Sequence, residues 1–314
     1  MKKIAIVIPA RNEAQHIENH LETILRQVDG FGVADFSILL IDDGSSDHTA
    51  EAVKKTIGKF PDKIGLVCLS RHFGKEAAIL AGLKHASSFD AVIVMDSDLQ
   101  HPPELISQFV EQWQAGNLIV EGVKQSRGDE ALAKNVLTRA YFRLFNFFTE
   151  FNIGGMTDFK LLDASVVAVY CGMTEHNRFF RGLVKWMNFP THQIPFDVPA
   201  TARAGSTWGS FNLFRYAVSS ITSFTAFPLQ IVTLLGAITF VMSAIIGGIA
   251  LFDKLTGKAV DGFTTVILLI LLVGSVLMFS IGLIGTYVGK IYDEVKRRPN
   301  YIVDTGKSDL ELFR

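Results

Sequence analysis

The first two hundred residues alternate between two hydrophobic periods. Short, β-branched apolar runs occur at Ile4–Ile8, Phe36–Ile41, Ile64–Leu69, Ala91–Met95 and Leu118–Val123. Each is bounded by polar or turn residues, the pattern of a strand buried on both faces. Between them the period becomes helical. Ala14, Ile17, Leu21, Ile24, Leu25 and Val28 fall on one face, and Gly30-Phe31-Gly32 reads as a helix stop and turn. Val53 and Ile57 mark a second helix, with Ser46 as its expected cap. Pro102 and Pro103 open a third, where proline's missing N–H leaves no bond unmade. Strands alternating with helices predict an α/β domain, a mostly parallel sheet with helices on both faces.

Beyond residue 205 the pattern changes. No charged residue occurs from Tyr216 to Phe252. Leu229–Phe252 alone gives about 24 mostly apolar residues, where about 20 cross a bilayer core. A second uncharged run, Gly262–Gly289, follows the polar linker Asp253–Asp261. Arg203 and Arg215 precede the first run, and Lys290, Lys296, Arg297 and Arg298 follow the second. Basic flanks on both sides predict that they stay in the cytoplasm and that the linker faces out. Trp208, Phe211, Phe214, Tyr216 and Phe224 suggest an interfacial amphipathic helix leading into the first span. The expected organisation is a cytoplasmic domain over 1–204 and the interfacial helix over 205–227. Two transmembrane helices follow over 228–289, with a short outer loop 253–262, and a basic cytoplasmic tail closes the chain over 290–314. Arg139–Phe151 also mixes arginines with aromatics and reads equally as a core helix or a membrane-surface segment. Gly285 and Gly289 form a GxxxG that permits close helix approach, and a homo-oligomer is expected.

Composition narrows the class. A formal net charge of -1 excludes a general nucleic-acid binder. The two cysteines, Cys68 and Cys171, sit in or beside apolar runs with no CxxC, so buried thiols in a reducing compartment are expected. The apolar run after Met1-Lys2-Lys3 is too short for a signal segment and ends at Pro9. It reads as the first strand, which keeps the N-terminus in the cytosol.

The polar motifs fall where an α/β sheet binds ligands, beyond the carboxyl ends of its strands. Pro9-Ala10-Arg11-Asn12-Glu13, Asp42-Asp43-Gly44-Ser45, Ser70-Arg71-His72-Phe73-Gly74-Lys75-Glu76 and Asp96-Ser97-Asp98-Leu99-Gln100-His101 each follow a predicted strand. Asp96 and Asp98, two apart, can point the same way. Paired carboxylates are hard oxygen ligands suited to Mg²⁺ or Mn²⁺ bridging a diphosphate, with Gln100 as a further oxygen and His101 close by. GxxxxGK[ST], GxGxxG after a strand, HExxH and GxSxG are all absent.

Taken together these motifs resemble the inverting family 2 glycosyltransferases of the GT-A type. Within them the chain is similar to the polyprenyl-phosphate group, the dolichol-phosphate mannosyltransferases and bactoprenol glucosyltransferases. Besides the four clusters, the resemblance rests on Pro102-Pro103-Glu104, Gly122, Arg127, Asp158-Phe159, Asn177-Arg178-Phe179-x-Arg181-Gly182, the two spans and Lys296-Arg297-Arg298-Pro299-x-Tyr301. It implies transfer of a hexose from a nucleotide-sugar to undecaprenyl or another polyprenyl phosphate, inverting the anomeric carbon. UDP-glucose is the favoured donor, and UDP-N-acetylhexosamine and GDP-mannose are alternatives. The implied place is the inner (plasma) membrane, multi-pass, with the catalytic domain and both termini cytoplasmic. The implied donor residues are Pro9, Arg11, Glu13, Asp42, Lys75, Asp96, Asp98, Lys124 and Arg203. Asp96, Asp98 and Gln100 would hold the metal, and Asp98 and Asp158 would be catalytic. Arg178, Arg181 and Arg203 would meet the acceptor phosphate. Two departures stand out: Gly122-Val123-Lys124 where the family often has Gly-x-Arg, and Gly205-Ser206-Thr207-Trp208 where it often has Gly-x-Ser-Lys. The first keeps the charge and loses the bidentate fork. A processive polysaccharide synthase would carry Gln-x-x-Arg-Trp, which is absent. The alternative from another class is a non-catalytic membrane scaffold with a degenerate transferase domain.

Overall fold

The computed structural model describes residues 1–124, 156–197, 227–256 and 263–313. They fall into two compact units, one taking in the described residues of 1–197 and 298–313, the other those of 227–297. The interfacial-helix segment 205–226, Arg139–Phe151, Arg127, Arg203 and Arg215 lie outside the described residues.

In the first unit the elements alternate as the periodicity predicts. In chain order they are β1 (Lys3–Ala10), α1 (Ile17–Asp29), β2 (Asp35–Asp42), α2 (Thr49–Lys59), β3 (Ile64–Cys68), α3 (Lys75–His85), β4 (Ala91–Val94), α4 (Ile106–Gln114), β5 (Ile119–Lys124), β6 (Met156–Asp163), α5 (Ala164–Gly172), α6 (Phe180–Trp186) and β7 (Thr191–Phe196). The strands form one sheet in the order β3-β2-β1-β4-β6-β5-β7. β1 pairs parallel with β2 and β4, β2 with β3, and β5 with β7, whereas β6 is antiparallel to both β4 and β5.

Strand alternation divides the core. Ile4, Ile6 and Ile8 join the buried cluster formed with α1, α2 and α4. Val7 and Ile41 face the other way, against α3. Contact there is so close that a Cβ on Gly82 would lie 2.2 Å from Val7 Cγ1. Ala77 to Leu83 are all buried, so α3 is apolar all round and packs between the sheet and α5. Helices on both faces account for the unbroken apolar strands.

One expectation needs adjusting. Ser46 does not cap α2. The helix begins at Thr49, whose N–H meets Asp47 Oδ1 at 3.1 Å, while Ser46 N–H donates to Asn12 Oδ1 at 2.9 Å. The helix stop and turn expected at Gly30-Phe31-Gly32 is present, with Gly30 closing α1 and Gly32 taking a left-handed φ of 61°. Strands β6 and β7 carry no simple apolar run, because Lys160 and Glu121 form a fully buried ion pair between β6 and β5. Gln193 on β7 completes it, donating to Glu121 Oε1 at 2.6 Å. Within the segment expected as a basic tail, residues 302–313 pack on the outer edge of β3. Beneath them the Cys68 thiol is buried, which pushes its pKa up to about 12, and Cys171 is partly buried. Both are free thiols.

The second unit holds α7 (Phe227–Leu255) and α8 (Phe263–Val295), which touch each other. Within them Leu229–Ile249 and Leu272–Val295 are long and apolar enough to cross a membrane, with mean hydropathies of 2.2 and 1.8. Large apolar side chains such as Leu234, Phe240, Ile245, Ile270, Met278 and Phe279 are exposed along both helices, so these are not core helices of a soluble fold. The 33 residues of α8 run about 50 Å, longer than a bilayer core of about 30 Å. The helix therefore continues past Gly289 through Lys290, Asp293 and Glu294.

Candidate active site

The strand order reverses beside β1: β2 and β3 lie to one side, β4 to the other. In an open parallel sheet that switch point leaves a crevice beyond the carboxyl ends. A cavity of about 270 Å³ occupies it, lined by Pro9, Ala10, Arg11, Glu13, Asp43, His72, Lys75, Ala78, Asp96, Ser97 and Asp98. That volume is at the small end for ligand pockets, so the walls made by described residues suit a part of a nucleotide-sugar rather than all of it.

The wall beyond β1 and β2 is built from turn chemistry. Asn12 sits in the left-handed region (φ 55°), its N–H bonded to Ser45 Oγ at 2.9 Å and its side-chain oxygen to Ser46 N–H. Glu13 N–H donates to Thr49 Oγ1 at 2.9 Å. Asp42 is buried in its own turn, where Ser45 N–H and hydroxyl donate to Oδ1. Asp43 reaches the cavity instead. Its carboxylate bonds His72 Nδ1 at 2.7 Å and accepts from Phe73 N–H at 2.7 Å and Gly74 N–H at 2.9 Å. The last two are at the N-terminus of α3, where an anion is favoured. Gly44 (φ 61°) lets the two loops meet, since a Cβ there would lie 2.2 Å from the Arg71 carbonyl carbon.

The Asp96–Asp98 turn is held from three sides. His20 Nδ1 donates to the Ser97 carbonyl at 2.5 Å. Asp96 N–H donates to His101 Nδ1 at 3.1 Å, and the His101 ring stacks on Phe159 at 5.1 Å. Burial keeps the His101 pKa below the usual histidine range. Leu99 takes a left-handed φ of 56°, costing about 1–2 kcal/mol for a residue with a Cβ. Its side chain packs on the apolar core, which offsets that cost. Gln100 contributes its main chain, its N–H orienting Asp98 Oδ1 at 3.1 Å.

Behind these carboxylates lies a charged network. Lys75 Nζ is 2.5 Å from Asp96 Oδ1 and 2.6 Å from Asp158 Oδ2. Arg181 grips Asp158 as a fork, Nε to Oδ1 at 2.7 Å and Nη2 to Oδ2 at 2.9 Å, and also donates to the Met156 carbonyl. Burial alone would raise the Asp158 pKa, but Lys75 and Arg181 outweigh it and hold the carboxyl well below the usual range. Burial would likewise lower Lys75, and Asp96 and Asp158 outweigh it, so the ammonium stays charged. Glu76, the next residue, accepts from Phe180 N–H at 2.7 Å at the start of α6. Burial first, then the charge of Asp158, pushes its pKa up to about 7.

Of the residues expected from sequence, the structure brings Pro9, Arg11, Glu13, Lys75, Asp96 and Asp98 to the cavity, with Asp158 one bond behind. Asp42, Lys124 and the Gln100 side chain are not among its lining groups. Arg178 folds back, donating to the Tyr170 carbonyl at 2.8 Å and the Met173 carbonyl at 3.0 Å, with its guanidinium over the Tyr170 ring. Asp43, His72 and Glu76 were not picked out as site residues. The signal was present in the Asp42-Asp43-Gly44 and His72-to-Glu76 clusters, but which neighbour faces in depends on turn geometry. Among the described residues no group of three or more His, Cys, Asp or Glu side chains forms a metal cage.

Comparison with known proteins agrees with this geometry. The family description "Glycosyl transferase family 2" matches residues 5–172. An uncharacterised glycosyltransferase of Synechocystis sp. is 34% identical over 305 residues, 96% of this chain and 94% of that protein. The bactoprenol glucosyl transferase of Shigella phage SfII is 34% identical over 307 residues, 96% of this chain and 97% of its own length. The crystal structure of mannosyl-3-phosphoglycerate synthase from Rubrobacter xylanophilus superposes with a TM-score of 0.50 at 17% identity, covering 71% of this chain and 73% of that one. That likeness bears on the fold alone, and the fold is the GT-A type.

Proposed function

The chain belongs to glycosyl transferase family 2, and on that premise we propose that it transfers a hexose from a nucleotide-sugar to a polyprenyl phosphate, inverting the anomeric carbon, at the cytoplasmic face of the inner (plasma) membrane. The observation that carries this reading is the switch-point cavity, where Asp96, Asp98 and Lys75 converge on one wall. The relatives named as bactoprenol glucosyl transferases align over nearly the whole chain, spans included, which supports a lipid acceptor and favours UDP-glucose.

Mg²⁺ or Mn²⁺ would be held by Asp96 and Asp98. Two carboxylates at a cavity wall are the donors such ions take, and Asp96 already pairs with a cation, the Lys75 ammonium. When bound, the ion offsets the charge of the departing nucleoside diphosphate. Pro9, Arg11, Glu13 and Asp43 line the cavity and would meet the nucleoside. Lys75 has three donors and two carboxylate partners among the described residues, and would offer the third donor to the diphosphate. The acceptor phosphate is anionic near neutral pH and needs no base, so catalysis rests on positioning and electrostatics. Asp158, held far below the usual carboxylate range, is poorly matched to a general base. It acts here by holding Lys75 and Arg181 in place.

The chain leaves the first unit, passes through α7 and α8 and returns to the first unit. This supports an even number of crossings, with both termini and the sheet on one side, read here as the cytoplasmic one. The test is a donor panel of UDP-glucose, UDP-N-acetylhexosamine and GDP-mannose with undecaprenyl phosphate and the intact protein in lipid. UDP-glucose is expected to give the fastest sugar–lipid formation. A faster reaction with either other donor rejects the sugar assignment, and nucleotide release without a lipid product rejects the acceptor.

A further inference from the structure

β3 is an edge strand of the sheet, and an open edge is a row of unpaired backbone groups. Here the residues that follow the second span cover it. Val303 bridges antiparallel to Leu69 and Asp309 to Leu66. Leu66 and Asp309 exchange both N–H bonds at 2.7 Å, Asp304 N–H donates to the Cys68 carbonyl at 2.8 Å, and Ser308 Oγ accepts from Cys68 N–H at 2.9 Å. At the far end Phe313 is buried against Gly65 and stacks on Phe89 at 5.1 Å. A Cβ on Gly65 would lie 2.7 Å from the Phe313 ring, so a glycine that weakens β3 as a strand makes room for the docked phenylalanine. At the near end Asn300 reaches the Glu175 carbonyl at 3.4 Å and Lys84 lies over the Tyr301 ring.

We propose that Tyr301–Phe313 is a strap that belongs to the donor-binding apparatus, holding the Ser70–Gly74 loop where His72 and Asp43 form a wall of the cavity. The strap's bond nearest the cavity joins the Ile302 carbonyl to Ser70 N–H, the first residue of that loop, at 2.8 Å. One residue earlier, Leu69 N–H is tied to the Asp42 carbonyl at 2.8 Å. From Ser70 the loop crosses over Gly44, delivers His72, Phe73 and Gly74 to the Asp43 carboxylate, and ends at Lys75. The loop is thus pinned by the strap at one end and by Asp43 and α3 at the other. The chain that supplies the strap follows both spans, so the donor wall is completed only once α7 and α8 have been made. Ile302 acts as a positioning residue, since it touches the loop and not the cavity, and Asp304 anchors the strap to Cys68 at the end of β3.

This rests on reading the cavity as the donor site, and the experiment separates the two. Three proteins in lipid nanodiscs are compared: the intact chain, a chain ending at Pro299, and full-length Asp304→Pro. The last removes the Asp304 N–H that bonds the Cys68 carbonyl, next to Val303, whose isolated antiparallel bridge to Leu69 suits a following proline. Amide exchange across Ser70–Lys75 is followed without ligand, then UDP binding and donor KM are measured. The strap predicts faster exchange at Phe73 and Gly74 in both variants. It also predicts donor KM raised by about 10- to 100-fold with kcat changed far less, and recovery of the shortened chain on adding a peptide of residues 300–314. Unchanged exchange and donor KM in Asp304→Pro overturn the proposal even if the shortened chain fails to fold. A lowered melting temperature with unchanged donor KM also overturns it, because the strap is then only a brace. Faster loop exchange in a protein whose intact form binds no UDP leaves the strap standing and rejects the donor site.

Discussion

Between Asp96 and Asp158 sits a single ammonium, and where it sits decides what each carboxylate is free to do. Lys75→Met should leave Asp96 without its competing cation, so Mn²⁺ binding to the nucleotide-free protein tightens several-fold while transfer falls by about 10²-fold. Titration calorimetry decides, and an unchanged or weaker Mn²⁺ affinity contradicts the assignment of Asp96 as a ligand. Glu76 offers a pH test. Its folded pKa, about 7, is raised above the usual carboxylate value of 4.5, so its neutral form favours the fold. That contribution is full below about pH 4.5 and is lost as pH rises towards 7. Relative to Glu76→Gln, wild-type stability should therefore decline across this window, by on the order of 3 kcal/mol, and be flat above it. A difference that is constant with pH would show that Glu76 is already ionised in the fold. At this scale the sequence is legible where a motif closes a strand, as with Pro9, Asp96 and Asp98. It fails between neighbours: Asp42 turns into its own loop and Asp43 faces the cavity, a choice made by Gly44 and the loop above it. Arg178 and Arg181 look like free cations in the sequence, and only folding shows them gripping Tyr170 and Asp158.

Among the elements, those with a clear period were readable. β1 to β5 and the faces of α1 and α2 follow directly from their apolar spacing, to within a few residues at their ends. α3 left no amphipathic signal because it is buried on all sides, and β6 and β7 are interrupted by Lys160, Glu121 and Gln193, whose charges and amide satisfy one another inside the sheet. The C-terminal strap is a short, irregular segment whose partner lies more than two hundred residues away, a pairing no local pattern announces. Contact between elements gives a sharper test. Gly44 combines a left-handed φ of 61° with a backbone neighbour 2.2 Å from its missing Cβ. Gly44→Ala should push the Ser70–Gly74 loop off Asp43, lower stability by about 1–3 kcal/mol and weaken nucleotide binding. Thermal unfolding and UDP titration check it. Wild-type values for both would mean the two loops are not in contact.

At the scale of the molecule the fold says why a sugar transferase carries two long apolar helices. α7 and α8 expose large aliphatic side chains along their length, and the chain then rejoins the first unit. Reporters at the N- and C-termini should both read cytoplasmic, and one between α7 and α8 should read the opposite side. A cytoplasmic reading there rejects the two-crossing arrangement. Removing everything after the first unit's main body would also remove the strap, so loss of activity in such a truncation does not by itself implicate the membrane. The central claim is a sugar transfer onto a membrane-resident phosphate, carried out by the cavity at the β1–β4 switch point. Its most direct test is mass spectrometry of lipid extracted after intact protein is incubated with UDP-glucose, Mg²⁺ and undecaprenyl phosphate. The account predicts a hexosyl undecaprenyl phosphate that falls by at least about 10²-fold in Asp98→Ala, a variant that still folds and inserts. Product formed at the wild-type rate by Asp98→Ala, or none formed by the intact protein with any of the three nucleotide-sugars, contradicts it.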